Sequence, residues 1–145
     1  VTSLGVCSAP VSAEDITMAG TVVNSCVLTV PTPGTLVPAT DGTKIGTEEG
    51  VGGVPATLSV VAVGTGPTVN FAAPSISAPS GASGLTTEIA YTSTGSGANQ
   101  DYTSSPTTAS ANLIDTFTVQ GRTSTGSGFP QGLYTLTVTV TCSQS

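Results

Sequence analysis

Hydrophobic positions in this chain fall in short runs rich in β-branched residues, each closed by Gly, Pro, Ser or Thr. Nowhere do they recur at the three-to-four-residue spacing of an amphipathic helix, so the pattern predicts an all-β protein. A first strand region is expected over residues 16–30, ITMAGTVVNSCVLTV, interrupted at Gly20 and stopped by the turn Pro31-Thr-Pro33-Gly34. Residues 35–37 form a short edge piece, and 41–54, DGTKIGTEEGVGGV, are expected as a solvated Gly-rich loop. A central strand follows at 56–63, ATLSVVAV, with 68–72, TVNFA, running back as its hairpin partner. Further strands are expected at 85–91 and 113–119, separated by a long polar connection over 93–110.

The last strand gives the clearest signal. From Gly132 the residues alternate without a break, with Tyr134, Leu136, Val138, Val140 and Cys142 on one face and Thr135, Thr137, Thr139 and Thr141 on the other. One face therefore meets the core and the other meets water. Six or seven strands at this spacing suit an Ig-like β-sandwich. Only Ser143, Gln144 and Ser145 follow the final strand in this sequence. Its free edge is therefore expected to be covered from elsewhere, because a regular, apolar-backed edge is a template for pairing with another chain.

Composition narrows the function. The 145 residues suit one domain, and about 30% of them are Ser or Thr. Two basic residues stand against eight acidic ones, for a net charge of −6, so a phosphate backbone would be repelled and no nucleic-acid partner is expected. The chain has no His, so neither a Ser-His-Asp nor a Cys-His site can be built. The acids Glu14, Asp15, Asp41, Glu48, Glu49, Glu88, Asp101 and Asp115 lie mostly in loop-like sequence, and no catalytic activity is expected of them. The acidic loop 41–54 lacks the ligand spacing of a calcium loop, and neither a metal nor a cofactor is expected. No apolar run approaches the 18 or more residues of a membrane-spanning helix.

The cysteines are Cys7, Cys26 and Cys142, with no CxxC pair among them. Cys26 lies in the first strand and Cys142 ends the last, and a disulfide between them would close most of the chain into one loop. Such a closure would contribute about 4 to 5 kcal/mol. Cys7 is then left free, removed with a leader, or bonded to another copy; three buried free thiols are the alternative. Residues 1–13 end in Val-Ser-Ala before Glu14 and Asp15, the small-residue look of a signal-peptidase site. Residues 1–19 are thus read as an N-terminal extension, with 1–13 a candidate signal-peptide remnant, and 20–145 as the sandwich domain. The alternative is that residues 1–13 are kept and an earlier leader is lost, and both readings imply secretion.

The segment Gly20-Thr-Val-Val-Asn-Ser-Cys26, the Gly132 that opens the final strand, the alternation from Tyr134 to Cys142 and the abrupt end resemble chaperone-usher pilins, in particular the archaic branch related to spore coat U domains. That resemblance implies an incomplete Ig-like sandwich completed by an N-terminal donor strand from a neighbouring subunit. It further implies a homopolymer of identical subunits, a periplasmic chaperone and an outer-membrane usher during assembly, and an extracellular filament serving adhesion or biofilm formation. The donor side chains would be Leu4, Val6 and Val11, or Ile16 and Met18 if the first residues are removed. The acceptor would be the final strand, through Tyr134, Leu136, Val138 and Val140. The chain departs from the family at Ala62, Val63 and Gly64, where a second Cys usually pairs with the first, and at Gln144, which replaces a near-terminal Tyr.

A monomeric secreted sandwich that binds carbohydrate or a surface is the alternative reading. Trp is absent, and with Phe71, Phe117 and Tyr134 read as core, a contact patch would rest on Tyr91, Tyr102 and Phe129.

Overall fold

A computed structural model describes residues 15–145. Its strands are β1 (Ser25–Thr32), β2 (Val37–Pro38), β3 (Lys44–Gly46), β4 (Ala56–Val63), β5 (Thr68–Phe71), β6 (Ser75–Ser77), β7 (Thr86–Ser93), β8 (Asn99–Thr103), β9 (Thr107–Ser110), β10 (Ile114–Ser124), β11 (Thr135–Thr137) and β12 (Val140–Ser143). The described residues are all-β, and no helix among them is long and apolar enough to cross a membrane.

The large sheet is organised by β10. One of its edges pairs with β4 through Ile114 to Val119 and then with β3 through Arg122 to Ser124, while the other edge pairs with β7. Outside these lie β1 against β4, β8 against β7 and β2 against β3, all antiparallel. A smaller sheet runs β9-β5-β12. The pairing of β6 with β11 prolongs that of β5 with β12, but with the register moved by one residue. Between the two pairs Ala72 N donates to Thr139 O at 2.9 Å, and Pro74 has no N–H to continue the ladder.

Alternation makes the two sheets face each other as a β-sandwich. Leu58 and Val60 of β4, Ile89 and Tyr91 of β7, and Phe117 and Val119 of β10 meet Val69 and Phe71 of β5 and Ala109 of β9 in one buried cluster. At its centre Phe71 stacks on Tyr91 with centroids 4.1 Å apart, and Phe117 lies 5.8 Å from each. Tyr91 is buried because its hydroxyl finds Thr107 Oγ1 at 2.9 Å, which removes the penalty of an unpaired phenol. Each of these large side chains contributes about 1.5 to 3 kcal/mol by leaving water.

Several expectations change. Residues 15–24 carry no strand; β1 begins at Ser25, where cross-strand partners on β4 become available. Residues 68–71 do not return beside β4: the turn after Val63 carries the chain to the opposite sheet, where β5 pairs with β9 and β12. The polar stretch 93–110 contains two strands, β8 and β9. Its inward residue on β9 is only Ala109, too small to announce a strand by hydrophobicity. The loop 41–54 holds β3, whose Ile45 is buried, and the final strand is split into β11 and β12 by the register change opposite Pro74.

Candidate functional site

Two sheet edges stand open on the same side of the sandwich. Among the described residues β1 pairs only with β4, and β11 and β12 pair only with β6 and β5. The edge of β1 is blunted by a bulge between Thr29 and Thr32 and by Pro31 and Pro33. The final strand has neither device: from Tyr134 to Ser143 it contains no Pro, no Gly and no charge.

Between these edges runs an apolar groove. Its wider part encloses about 440 Å3 and is bordered by Gly34, Thr35 and Leu36 on one side and Leu133, Tyr134, Leu136 and Val138 on the other. A narrower part of about 250 Å3 continues past Val30 and Pro33 to Val140. Gly34, Ala56, Val119, Leu136 and Val138 border both parts, so the two form one continuous slot. The floor is made by Ala56 and Leu58 of β4, Ile89 of β7 and Val119 of β10.

Burial along the walls is uneven in an informative way. Tyr134, Leu136, Val138 and Val140 are each half-buried, whereas Val69 and Phe71 on the neighbouring β5 are 0% and 1% exposed. The apolar face of the final strand is therefore covered from the core side and left open toward the groove. Leu136 sits down onto the backbone of β10 at Gly121, where an added Cβ would come within 3.0 Å of its Cδ1. Tyr134 is held at the groove end by an edge-to-face contact with Phe129 and by its hydroxyl, which donates to Pro130 O.

The disulfide Cys26–Cys142 is present and spans 116 residues. It joins the start of β1 to the end of β12 and so ties the two groove walls together at one end. Cys26 lies directly opposite Ala62 in the ladder. The same end is anchored by the turn at Gly64. There Thr65 N donates to Asn24 Oδ1 at 3.1 Å, and Gln144 Nε2 donates to Val63 O and Thr65 O.

N-terminal to Asn24 the chain departs from the domain. Every residue from 15 to 25 is exposed, with Ile16 at 84% and Met18 at 88%. Leu4, Val6, Val11 and Cys7 lie outside the described residues.

Charged groups sit away from the groove. Asp115 is buried at 3% exposure and accepts from Ser93 Oγ and from the N–H groups of Gly95, Ser96, Asn112 and Thr116. Burial pushes its carboxyl upward, but these donors outweigh it and hold the pKa at about 2. Every lone pair of this carboxylate is occupied in bracing the turns beside β10. On the outer face of the large sheet, Arg122 stacks over the Tyr102 ring at 3.9 Å and pairs with Glu88 at 3.1 Å, while Tyr102 donates to Glu48 at 2.6 Å. Partial burial and the adjacent Glu48 raise the Tyr102 phenol. No group of three metal-ligating side chains occurs among the described residues.

The proposed aromatic contact patch is not assembled. Tyr91 is core at 2% exposure, one face of Tyr102 is occupied by Arg122, and Phe129 packs against Tyr134. Sequence reading missed the Asn24–Gly64 lock and the Asp115 hub. The only signals were a Gly beside a strand end and an acid at an inward strand position. Compared with family models, curated proteins and solved structures, the chain matches none.

Proposed function

We propose that this chain is a structural subunit of an extracellular filament, an incomplete Ig-like sandwich that polymerises head-to-tail by strand donation. The observation that supports this best is the pairing of an open apolar groove beside an unprotected strand edge with an exposed, unpaired apolar segment on the same chain. Ile16 and Met18 are two residues apart, as strand side chains that enter one groove must be. Each would stabilise the joint by about 1.5 to 3 kcal/mol, with backbone hydrogen bonds to the final strand besides. Donor and acceptor lie on different parts of one chain, so the contact is heterologous, and a heterologous contact whose rotation does not close gives a filament.

Assembly of such a subunit calls for a partner that covers the groove until a donor arrives. A periplasmic chaperone and an outer-membrane usher fill that role in this reading. The disulfide and the lack of a spanning helix among the described residues are compatible with secretion. Adhesion or biofilm formation is the proposed use of the fibre.

The test is the double substitution Ile16→Asp and Met18→Asp. Both side chains are already in water, so the domain's own core is untouched. Under strand donation, native chains run unboiled as a ladder that collapses on heating and appear as thin fibres by negative-stain microscopy, while the double variant runs as a monomer with the same melting temperature. Native chains that remain discrete monomers would refute the reading, and a variant that keeps the ladder would refute Ile16 and Met18 as the donor side chains.

A further inference from the structure

We propose that consecutive copies of this chain meet through a second apolar contact besides the donated strand. The outer corner of the large sheet around Val27, Val61 and Ile114 in one copy packs against the end of the next copy that carries Leu133 and Val51. The inference rests on the strand-donation reading above.

Val27, Val61 and Ile114 are register partners across three adjacent strands, and they face outward at 54%, 48% and 77% exposure. Val63 on β4 is 52% exposed beside them. The next outward row on the same three strands is Thr29, Ser59 and Thr116, and the pair beyond that is Thr57 and Thr118. Over these rows of β1, β4 and β10 the outer face is thus aliphatic at the Val61 end and hydroxyl-lined beyond it. Contiguous exposed aliphatic side chains of this kind are what an apolar contact surface offers.

The position of the patch selects its occupant. It lies where β1 begins, beside the Asn24–Thr65 hydrogen bond from which the N-terminal segment leaves the domain. From Met18 to Ser25 the chain spans at most about 25 Å when fully extended. A donor antiparallel to the final strand ends at the Tyr134 side of the acceptor groove, the end opposite the disulfide. The donating domain therefore starts close to that end, with its aliphatic corner leading. There the acceptor exposes Leu133 at 81%, and Val51, on the loop before β4, is fully exposed. A second copy is the one partner that the short connector brings to this corner every time a strand is donated.

The test uses full-length chain with the photoreactive p-benzoylphenylalanine at position 114, and at Thr108 on the outer face of β9 as the control. After irradiation of assembled fibres, position 114 is expected to cross-link neighbouring subunits at least tenfold more than position 108, with the cross-link mapping to residues around 133 or 51. A heat-labile ladder with no excess of cross-linking at 114, or with cross-links mapping elsewhere, would overturn the second contact and leave strand donation standing. Absence of the ladder in the unmodified chain would remove both.

Discussion

Removing the disulfide offers a direct measure of how much this domain depends on a single long closure. The perturbation is Cys26→Ala with Cys142→Ala, which trims two half-buried side chains and frees the ends of β1 and β12 from each other. The bridge spans 116 residues of sequence. Chain-entropy arithmetic for a loop of that length gives about 16 cal/mol/K of unfolded-state entropy, or about 5 kcal/mol at 25 °C. A domain of this size loses about 1 °C of melting temperature for each 0.3 kcal/mol, so the transition should fall by about 15 °C. The assay is urea unfolding and calorimetry of the oxidised chain and the double variant, both on monomeric samples. The urea slope should rise in the variant, because its unfolded chain expands further and exposes more surface. A loss below about 2 kcal/mol with an unchanged slope would refute the reasoning, since it would mean that the bridge does not restrict the unfolded ensemble.

Two other expectations follow from single residues. Asp115 has a folded pKa of about 2 against an ordinary 3.8, so its contribution of about 2 kcal/mol is fully present above the unfolded value and is lost as pH falls from about 5 toward 2. Asp115→Asn should flatten the acid limb of the stability profile, and equal acid slopes in both proteins would count against the hub. Gly64→Ala drives a Cβ into Asn24 Oδ1 at a φ of +100°, and should cost about 2 to 3 kcal/mol in chemical denaturation. Gly42→Ala, at a φ of +73° with open space around it, should cost about 1 kcal/mol, and an equal loss at both positions would show that the Asn24 contact adds nothing.

The groove is partly legible in the sequence alone. The two-residue period from Tyr134 to Val140 identifies the groove-facing side chains, because strand geometry sends alternate residues to one face whatever the partner. Which residues would form the opposite wall was not legible. Val30, Pro33 and Leu36 precede that strand by about a hundred residues, and no local pattern records which edges a sandwich leaves adjacent. Nor was the seating of Leu136 visible, since it depends on the missing side chain at Gly121, on the preceding strand, with which β11 does not pair.

By itself the sequence determined an all-β chain, an acidic surface without histidine, a final strand with one apolar face and the cysteine pair available for a long bridge. Each of these is a property of composition or of period-two spacing, which are local. Only the tertiary structure decided that 68–71 crosses to the second sheet, that Ala109 suffices to anchor a strand, that Tyr91 is core, and that a row of three aliphatic residues gathers at one outer corner. Those outcomes depend on which strands become neighbours, and neighbour choice is settled by packing Phe71, Tyr91 and Phe117 into one centre rather than by any stretch of the chain read alone.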